Sequence, residues 1–230
     1  MVKRVILRGE AHYVLKHRLE LAIPLEVREV EGKTYIRVWP RLAPLARKYQ
    51  HTYQGELFSD EAIRFLVEGG TPYLNKKGYQ VDPTIERREH ILFGDAKERP
   101  IPKGIEVVPL SEEIIAENEN LTEYDLVATL AAGVVAYVVI EDGKIVSIAA
   151  TNEPMFVGIY AVEIGVETAP LYQGKGYATA CVCALTNHLT KEEIKTEAHI
   201  EYDNPASLRV FERAGYTKAG RAYYLVGERS

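Results

Sequence analysis

Gln173-Gly174-Lys175-Gly176-Tyr177-Ala178 follows a run of alternating apolar residues and opens a helical pattern. Two glycines one residue apart let the backbone take positive φ and aim successive N–H groups at one point. The helix that follows adds its own unpaired N–H groups and the positive end of its dipole. A diphosphate suits such a place. Glycines also make plain strand-to-helix turns, so the meaning of this stretch depends on its flanks.

Upstream, residues 159–168 read as a strand, with Tyr160, Val162, Ile164 and Val166 on one face and Glu163, Gly165 and Glu167 on the other. Two carboxylates therefore share a face just ahead of the turn. Downstream, Ala178, Cys181, Val182, Leu185 and Leu189 fall at core-facing helical spacing. A strand over 196–202 follows, then a helix with Asn204 as N-cap, Pro205 at the first helical position and Gly215 just past the C-cap. Its inner row is Leu208, Phe211 and Ala214, and residues 221–226 read as a strand closing the domain. Ahead of the alternating strand, 105–109 is a short strand and Ser111 opens a polar helical stretch. Residues 134–140 and 144–150 form a hairpin across Glu141-Asp142-Gly143.

The first hundred residues form a separate α+β region. Residues 25–28 and 34–39 flank Glu31-Gly32-Lys33 as a hairpin. A helix is expected to start at Asp60 as its N-cap, to bury Ile63, Phe65 and Leu66, and to stop at Gly69-Gly70. The aromatic and polar group His51, Tyr53 and Phe58 reads as packing and surface ahead of a pocket lining. Residues 97–104, with Pro100, Pro102 and Gly104, have linker composition, which sets the expected domains at 1–100 and 101–230.

Composition narrows the partners. The chain has 230 residues, 47% hydrophobic and 27% charged, the profile of a globular protein. No run approaches the roughly 20 apolar residues of a membrane span, and the start lacks a signal-peptide pattern, so a cytoplasmic protein without membrane contact is expected. The two cysteines, Cys181 and Cys183, lie two apart on one helix and do not face each other. This excludes a disulfide scaffold and a cysteine-rich zinc site, and no metal is expected. A net charge of −5 gives no footprint for nucleic acid and fits a cationic ligand better.

Taken in order, strand, helix, hairpin, long strand, glycine turn, helix, strand, Asn-capped helix and strand, residues 105–226 resemble the Gcn5-related N-acetyltransferase (GNAT) superfamily, most strongly over 162–216. The family's acetyl-CoA signature is Arg or Gln, two residues, Gly, one residue, then Gly or Ala; Gln173, Gly176 and Ala178 fill it. Pro170-Leu171-Tyr172 stands where the family shows a proline, a variable residue and an aromatic. Asn204, Ser207, Gly215 and Tyr216 meet a second family feature. A Rossmann fingerprint would need Gly or Ala where Thr179 stands and would not follow an antiparallel hairpin; a Walker loop would need Lys-Ser/Thr after the glycines. The fold implied is α/β (α+β): a GNAT-like mixed central sheet flanked by helices, with the additional N-terminal α+β region.

The resemblance implies acetyl-CoA as acyl donor. Its diphosphate would lie on Gln173, Gly174, Lys175, Gly176, Tyr177, Ala178 and Thr179, with Lys175 adding positive charge. The pantetheine arm would pair with free backbone near Val166, Glu167 and Thr168, while Asn204, Ser207 and Phe211 line the cleft. A main-chain N–H would polarise the acetyl carbonyl. The acceptor amine must lose a proton before it attacks; Glu163 is the favoured base, Glu167 the second choice, and a water chain a third route. Many relatives carry a tyrosine where this chain has Phe211, so the acid for the leaving thiolate is sought in Tyr202, then Tyr216, Tyr223 or Tyr224, or in water. His199 reads as a surface histidine, and Cys181 and Cys183 as packing.

The function implied is N-acetyl transfer from acetyl-CoA to a primary amine, small molecule or peptide, with residues 1–100 helping to form the acceptor pocket and a homodimer compatible with the reading. The rival is a non-catalytic acyl-CoA-binding regulatory module, pointed to by Phe211.

Overall fold

The computed structural model describes residues 2–7, 12–14, 20–84, 87–94, 97–152 and 161–229. Two compact units emerge. The first comprises Met1–Ile91, Glu201–Asp203 and Ala219–Ser230; the second comprises Leu92–Ile200 and Asn204–Lys218.

The first unit contains β1 (Val2–Leu7), β2 (His12–Val14), β3 (Glu20–Val30), β4 (Lys33–Val38), α1 (Ala43–Thr52), α2 (Asp60–Lys76) and the start of β5 (Arg88–Gly94). The expected hairpin is β3–β4, in register from Val30↔Lys33 to Leu25↔Val38. Glu31 and Gly32 turn it with φ of 50° and 70°, the left-handed pair a tight two-residue hairpin needs. β1 runs parallel to β4, and residues 220–229 run antiparallel to β3. The apolar faces of these strands, among them Leu25, Val27, Ile36 and Val38, are closed by Trp39, Tyr49 of α1 and Leu66 and Leu74 of α2.

α2 departs from expectation at both ends. Ser59, not Asp60, is its N-cap, accepting the Ala62 N–H at 3.3 Å. Gly69-Gly70 does not end it; the helix runs on through Pro72 to Lys76. A Cβ on Gly69 would lie 2.4 Å from Leu45 Cδ1, and one on Gly70 2.3 Å from Leu225 Cδ2. The two glycines let a continuous helix approach its neighbours closely.

The second unit contains β6 (Val108–Pro109), α3 (Glu112–Glu117), β7 (Glu119–Asn120), α4 (Leu126–Ala131), β8 (Ala136–Glu141), β9 (Lys144–Thr151), β10 (Ala161–Thr168), α5 (Tyr177–Lys191), β11 (Lys195–Glu201), α6 (Pro205–Arg213) and the first residues of β12 (Tyr216–Arg229). Strand order is β11-β10-β9-β8-β6, with β7 beside β9. β10 is parallel to β11 and antiparallel to β9, so the sheet is mixed. Asp142 and Gly143, at φ of 49° and 71°, turn the β8–β9 hairpin.

Cys181, Val182, Leu185 and Leu189 of α5 pack on one face of this sheet against Val139, Val146, Ile164 and Ala198. Ala178 of the expected row is only half-buried. On the other face, Val138, Ile145, Ile148 and Ala150 pack with Leu126 of α4 and Ile114 and Ile115 of α3. The result is a mixed central sheet flanked by helices, as the resemblance implies, beside an N-terminal region of strands and helices. Tyr160, on the expected apolar face of β10, lies outside the described residues.

Two further segments differ from their sequence reading. The proline-containing stretch 97–104 is fastened to the second unit: Arg99 N–H donates to Asn187 Oδ1 (2.7 Å), Arg99 O accepts from Asn187 Nδ2 (2.8 Å), and Arg99 Nη2 donates to Gly215 O (2.8 Å). Composition alone cannot see these bonds. The final strand, expected to close the second unit, counts with the first from Ala219 onward, because its ladder is with β3. Among the described residues no helix is long and apolar enough to cross a membrane.

Candidate functional site

β10 and β11 start as a parallel pair and then part. Their ladder covers Ala161↔Lys195, Val162↔Thr196 and Glu163↔Glu197. On its other edge β10 stays bonded to β9 from Ile164↔Thr151 to Thr168↔Ser147. Buried Ser147 anchors that side, its Oγ donating to Glu167 O at 2.9 Å and lying 2.8 Å from Thr168 Oγ1. Beyond Glu163, β10 is thus held by β9, and a groove of about 400 Å³ opens beside it. Val166, Glu167 and Thr168 form one wall, residues of the glycine turn from Gln173 to Thr179 the end, and α6 the other wall.

The turn is built on glycine backbone. A short 3-10 turn, Pro170–Tyr172, precedes it, and Gln173 Nε2 donates back to Thr168 O at 3.2 Å. Gly174 and Gly176 sit at φ of 79° and 90°, where a side chain is strained. Nothing lies within 4 Å of a Cβ placed on Gly174, so its backbone angle, not crowding, calls for glycine there. Gly176 caps α5, leaving the N–H groups of Tyr177, Ala178 and Thr179 without intrahelical partners.

Most residues singled out for the cofactor meet in this groove: Val166, Glu167, Thr168, Gln173, Gly174, Gly176, Tyr177, Ala178, Thr179, Asn204 and Ser207 all line it. Asn204 also caps α6, its Oδ1 accepting the Ser207 N–H at 3.0 Å. Two do not line it. Lys175 turns toward Glu141 (3.9 Å) and over the rings of Tyr172 (4.8 Å) and Tyr177 (5.7 Å). Phe211 is 2% exposed and faces the core, edge-on to Tyr216 at 5.1 Å. The groove's cationic side chains are instead Arg209 and Arg213, which the sequence reading missed. The available signal was Ala206, Arg209, Val210 and Arg213 spaced three and four apart, one stripe of α6.

The candidate acids divide between the two units. Tyr202 belongs to the first unit, its ring stacked on His90 at 4.2 Å. Tyr223 is buried in the first unit's core, and Tyr224 also belongs to that unit. The Tyr216 hydroxyl is buried between Thr186 (2.8 Å) and Thr196 (2.7 Å), and burial pushes the phenol up to about 12. The Tyr177 hydroxyl donates to the Glu141 carboxylate, and that bond above all pushes it up to about 12. Cys181 and Cys183 are buried free thiols; burial pushes Cys181 up to about 12 and Cys183 upward, leaving both un-ionised packing groups.

The polar face of β10 carries half-buried Glu163, Gly165 and Glu167. Glu163 stands in register with Glu197 on the same face. Glu167 Oε1 accepts the Glu123 N–H at 2.8 Å. His199, expected at the surface, has a side chain only 8% exposed, with Nε2 3.2 Å from Glu197 Oε1. A residue that sequence reasoning missed joins this face: a Cβ on Gly165 would lie 2.7 Å from Tyr124 Oη and 2.9 Å from Asn152 Oδ1. Burial first, then the charges of Glu167 and Glu163, hold the Tyr124 phenol above its ordinary range. A lone tyrosine in a polar loop gives no sequence signal for this. Among the described residues no group of three or more His, Cys, Asp or Glu side chains is arranged to hold a metal ion.

Residues 106–216 match the model of the Acetyltransferase (GNAT) family. Residues 106–216, toward the C-terminal end of the chain, are a GNAT-family acetyltransferase domain. Among solved structures, a Drosophila protein aligns at 15% identity and TM-score 0.51, covering 91% of this chain and 79% of that one, a likeness in fold. A GCN5-related N-acetyltransferase-like protein from Streptococcus suis aligns at 17% identity and TM-score 0.49, covering 96% and 89%. A GCN5-related N-acetyltransferase from Kribbella flavida aligns at 14% identity and TM-score 0.47, covering 97% and 91%. No curated protein matches the chain.

Proposed function

We propose that the C-terminal unit transfers an acetyl group from acetyl-CoA to a primary amine by direct attack, with Glu163 as general base. The observation that carries this reading is the meeting of three features in one groove. Among the described residues β10 has no ladder partner on its β11 edge past Glu163, the glycine turn presents helix N-terminal N–H groups, and α6 contributes Arg209 and Arg213. Phosphates belong at the turn, where backbone donors and the α5 dipole favour negative charge. An extended arm belongs along Val166–Thr168, whose edge faces the groove. The thioester then reaches the polar face, where half-buried Glu163 takes the proton of the incoming ammonium. Acceptors are small-molecule or peptide amines, and cationic ones suit the carboxylates of this face.

Thermal unfolding with added ligand tests the binding half: acetyl-CoA should raise Tm and NADH should not, since the groove suits one diphosphate at a single helix terminus. Equal shifts with both, or none with acetyl-CoA, overturn it. Thiol release in the presence of an amine panel tests the chemistry. Glu163→Gln should keep acetyl-CoA binding and lose turnover by about 10²-fold or more at neutral pH, partly recovered at higher pH as more amine is already deprotonated. If Glu167→Gln loses turnover and Glu163→Gln does not, the base is Glu167. A second reading, a non-catalytic acyl-CoA-binding module, draws support from the core-facing Phe211, which offers no hydroxyl to a leaving thiolate. Tight acetyl-CoA binding without thiol release favours that module.

A further inference from the structure

Tyr124 is a polar side chain of this unit with no part in the chemistry described so far. It lies in the loop between β7 and α4, whose backbone is fastened on both sides of it. Asn120 Nδ2 donates to Tyr124 O at 2.9 Å, while Asn120 Oδ1 accepts from Thr122 N (2.9 Å) and Thr122 Oγ1 (2.8 Å). The preceding residue, Glu123, donates its N–H to Glu167 Oε1 at 2.8 Å, which ties the loop to β10 itself. The following residue, Asp125, caps α4 by accepting the Ala128 N–H at 3.0 Å.

That fastening delivers the hydroxyl to one spot. Tyr124 Oη would be 2.7 Å from a Cβ on Gly165, so only a residue without a side chain admits it there. Gly165 lies two positions past Glu163, where the ladder with β11 ends, and one before Val166, where the groove begins. The phenol thus stands where a group carried along the Val166–Thr168 edge arrives at the polar face.

Resting on the transferase reading above, we propose that Tyr124 is a catalytic hydrogen-bond donor, its hydroxyl holding the thioester oxygen across the bare Cα of Gly165 as that oxygen gains charge. The amine lone pair forms the C–N bond, and the carbonyl π electrons move onto oxygen, where the Tyr124 O–H meets them. Collapse re-forms the C=O bond and breaks C–S; the sulfur leaves with the bonding pair and receives, by way of water, the second proton that the nitrogen sheds on becoming an amide, while Glu163 holds the first proton, taken from the ammonium before attack. Tyr124 keeps its own proton throughout. Its surroundings suit that role, because burial and the two neighbouring glutamates keep the phenol protonated through the neutral range.

The test uses the full chain with acetyl-CoA and a panel of spermidine, tryptamine, lysine and a lysine-containing peptide, reading thiol release, with CoA affinity measured separately by calorimetry. Tyr124→Phe should lower kcat by about 10²-fold or more, the range for losing an oxyanion donor, with KM for acetyl-CoA, CoA affinity and Tm unchanged. Gly165→Ala should give a similar kcat loss by displacing the hydroxyl, and the double variant should be no worse than the worse single one, since both remove the same contact. Full kcat in Tyr124→Phe, or losses that multiply in the double variant, overturns the proposal and leaves the transferase reading standing. Loss of CoA affinity and Tm along with kcat in Tyr124→Phe assigns the residue to structure and overturns it too. Wild-type protein that releases no thiol with any amine overturns the transferase reading and this inference together.

Discussion

Gly174 and Gly176 sit in left-handed backbone at φ of 79° and 90°, Gly174 with open space where a Cβ would be. Gly69 and Gly70 lie inside the continuous helix α2, where a Cβ would come within 2.4 Å of Leu45 and 2.3 Å of Leu225. One pair is required for its backbone freedom, the other for its lack of bulk. Sequence alone writes both as glycines near a helix end, and the rule that glycine stops helices misreads the second. The difference teaches that a glycine's role is set by what surrounds it, and it separates the consequences of substitution. At the turn a side chain should act on ligand binding, and in α2 on stability.

The largest effect is expected at Gly176. Valine there would hold a β-branched residue at φ near 90° and fill the space above the α5 N-terminus. Acetyl-CoA affinity, measured by calorimetry, should fall by about 10²-fold or more while the far-UV circular dichroism stays native. Affinity equal to wild type would break the comparison by placing the cradle elsewhere.

The helical pair should behave in the opposite way. Gly70→Val forces bulk against fully buried Leu225 and should lower stability by about 1–3 kcal/mol in denaturant titration, with acetyl-CoA affinity unchanged. A loss of affinity with intact stability would show that α2 communicates with the groove. Gly69→Ala should have the smallest effect. Leu45 is only half-buried, so its side chain is expected to give way outward, and alanine gains about 1 kcal/mol of helix propensity over glycine. A net change within about 1 kcal/mol is expected, and a larger loss would mean that Leu45 is as confined as Leu225.

The same contrast explains what the sequence could and could not reveal. Turn chemistry and caps are local, so the Asp142-Gly143 and Glu31-Gly32 hairpins, the Asn204 cap and the Gly174-Gly176 turn could be read from residue type and spacing. So could the parting β10, because its alternating faces and the resemblance both point to it. Long-range facts left no such trace. The ladder of residues 220–229 with β3, the hold of Arg99 on Asn187 and Gly215, and the delivery of Tyr124 to Gly165 each join residues far apart in the chain. Side-chain direction is not legible where one residue type serves two roles. Residue type and the resemblance point Lys175 at phosphates and Phe211 at the cleft, whereas Lys175 lies 3.9 Å from Glu141 and Phe211 closes the core against Tyr216. In both cases the competing partner was an aromatic ring or a carboxylate from another element, invisible to periodicity.

In the proposed function, backbone N–H groups at the start of α5 are the ligands of a diphosphate. Amide hydrogen exchange resolved to single residues, with and without saturating acetyl-CoA, addresses those groups directly. Slowed exchange concentrated at residues 174–179, with the amides of α2 unchanged, is the expected result. Unchanged exchange at 174–179 while acetyl-CoA is bound, or protection confined to another part of the chain, would contradict it.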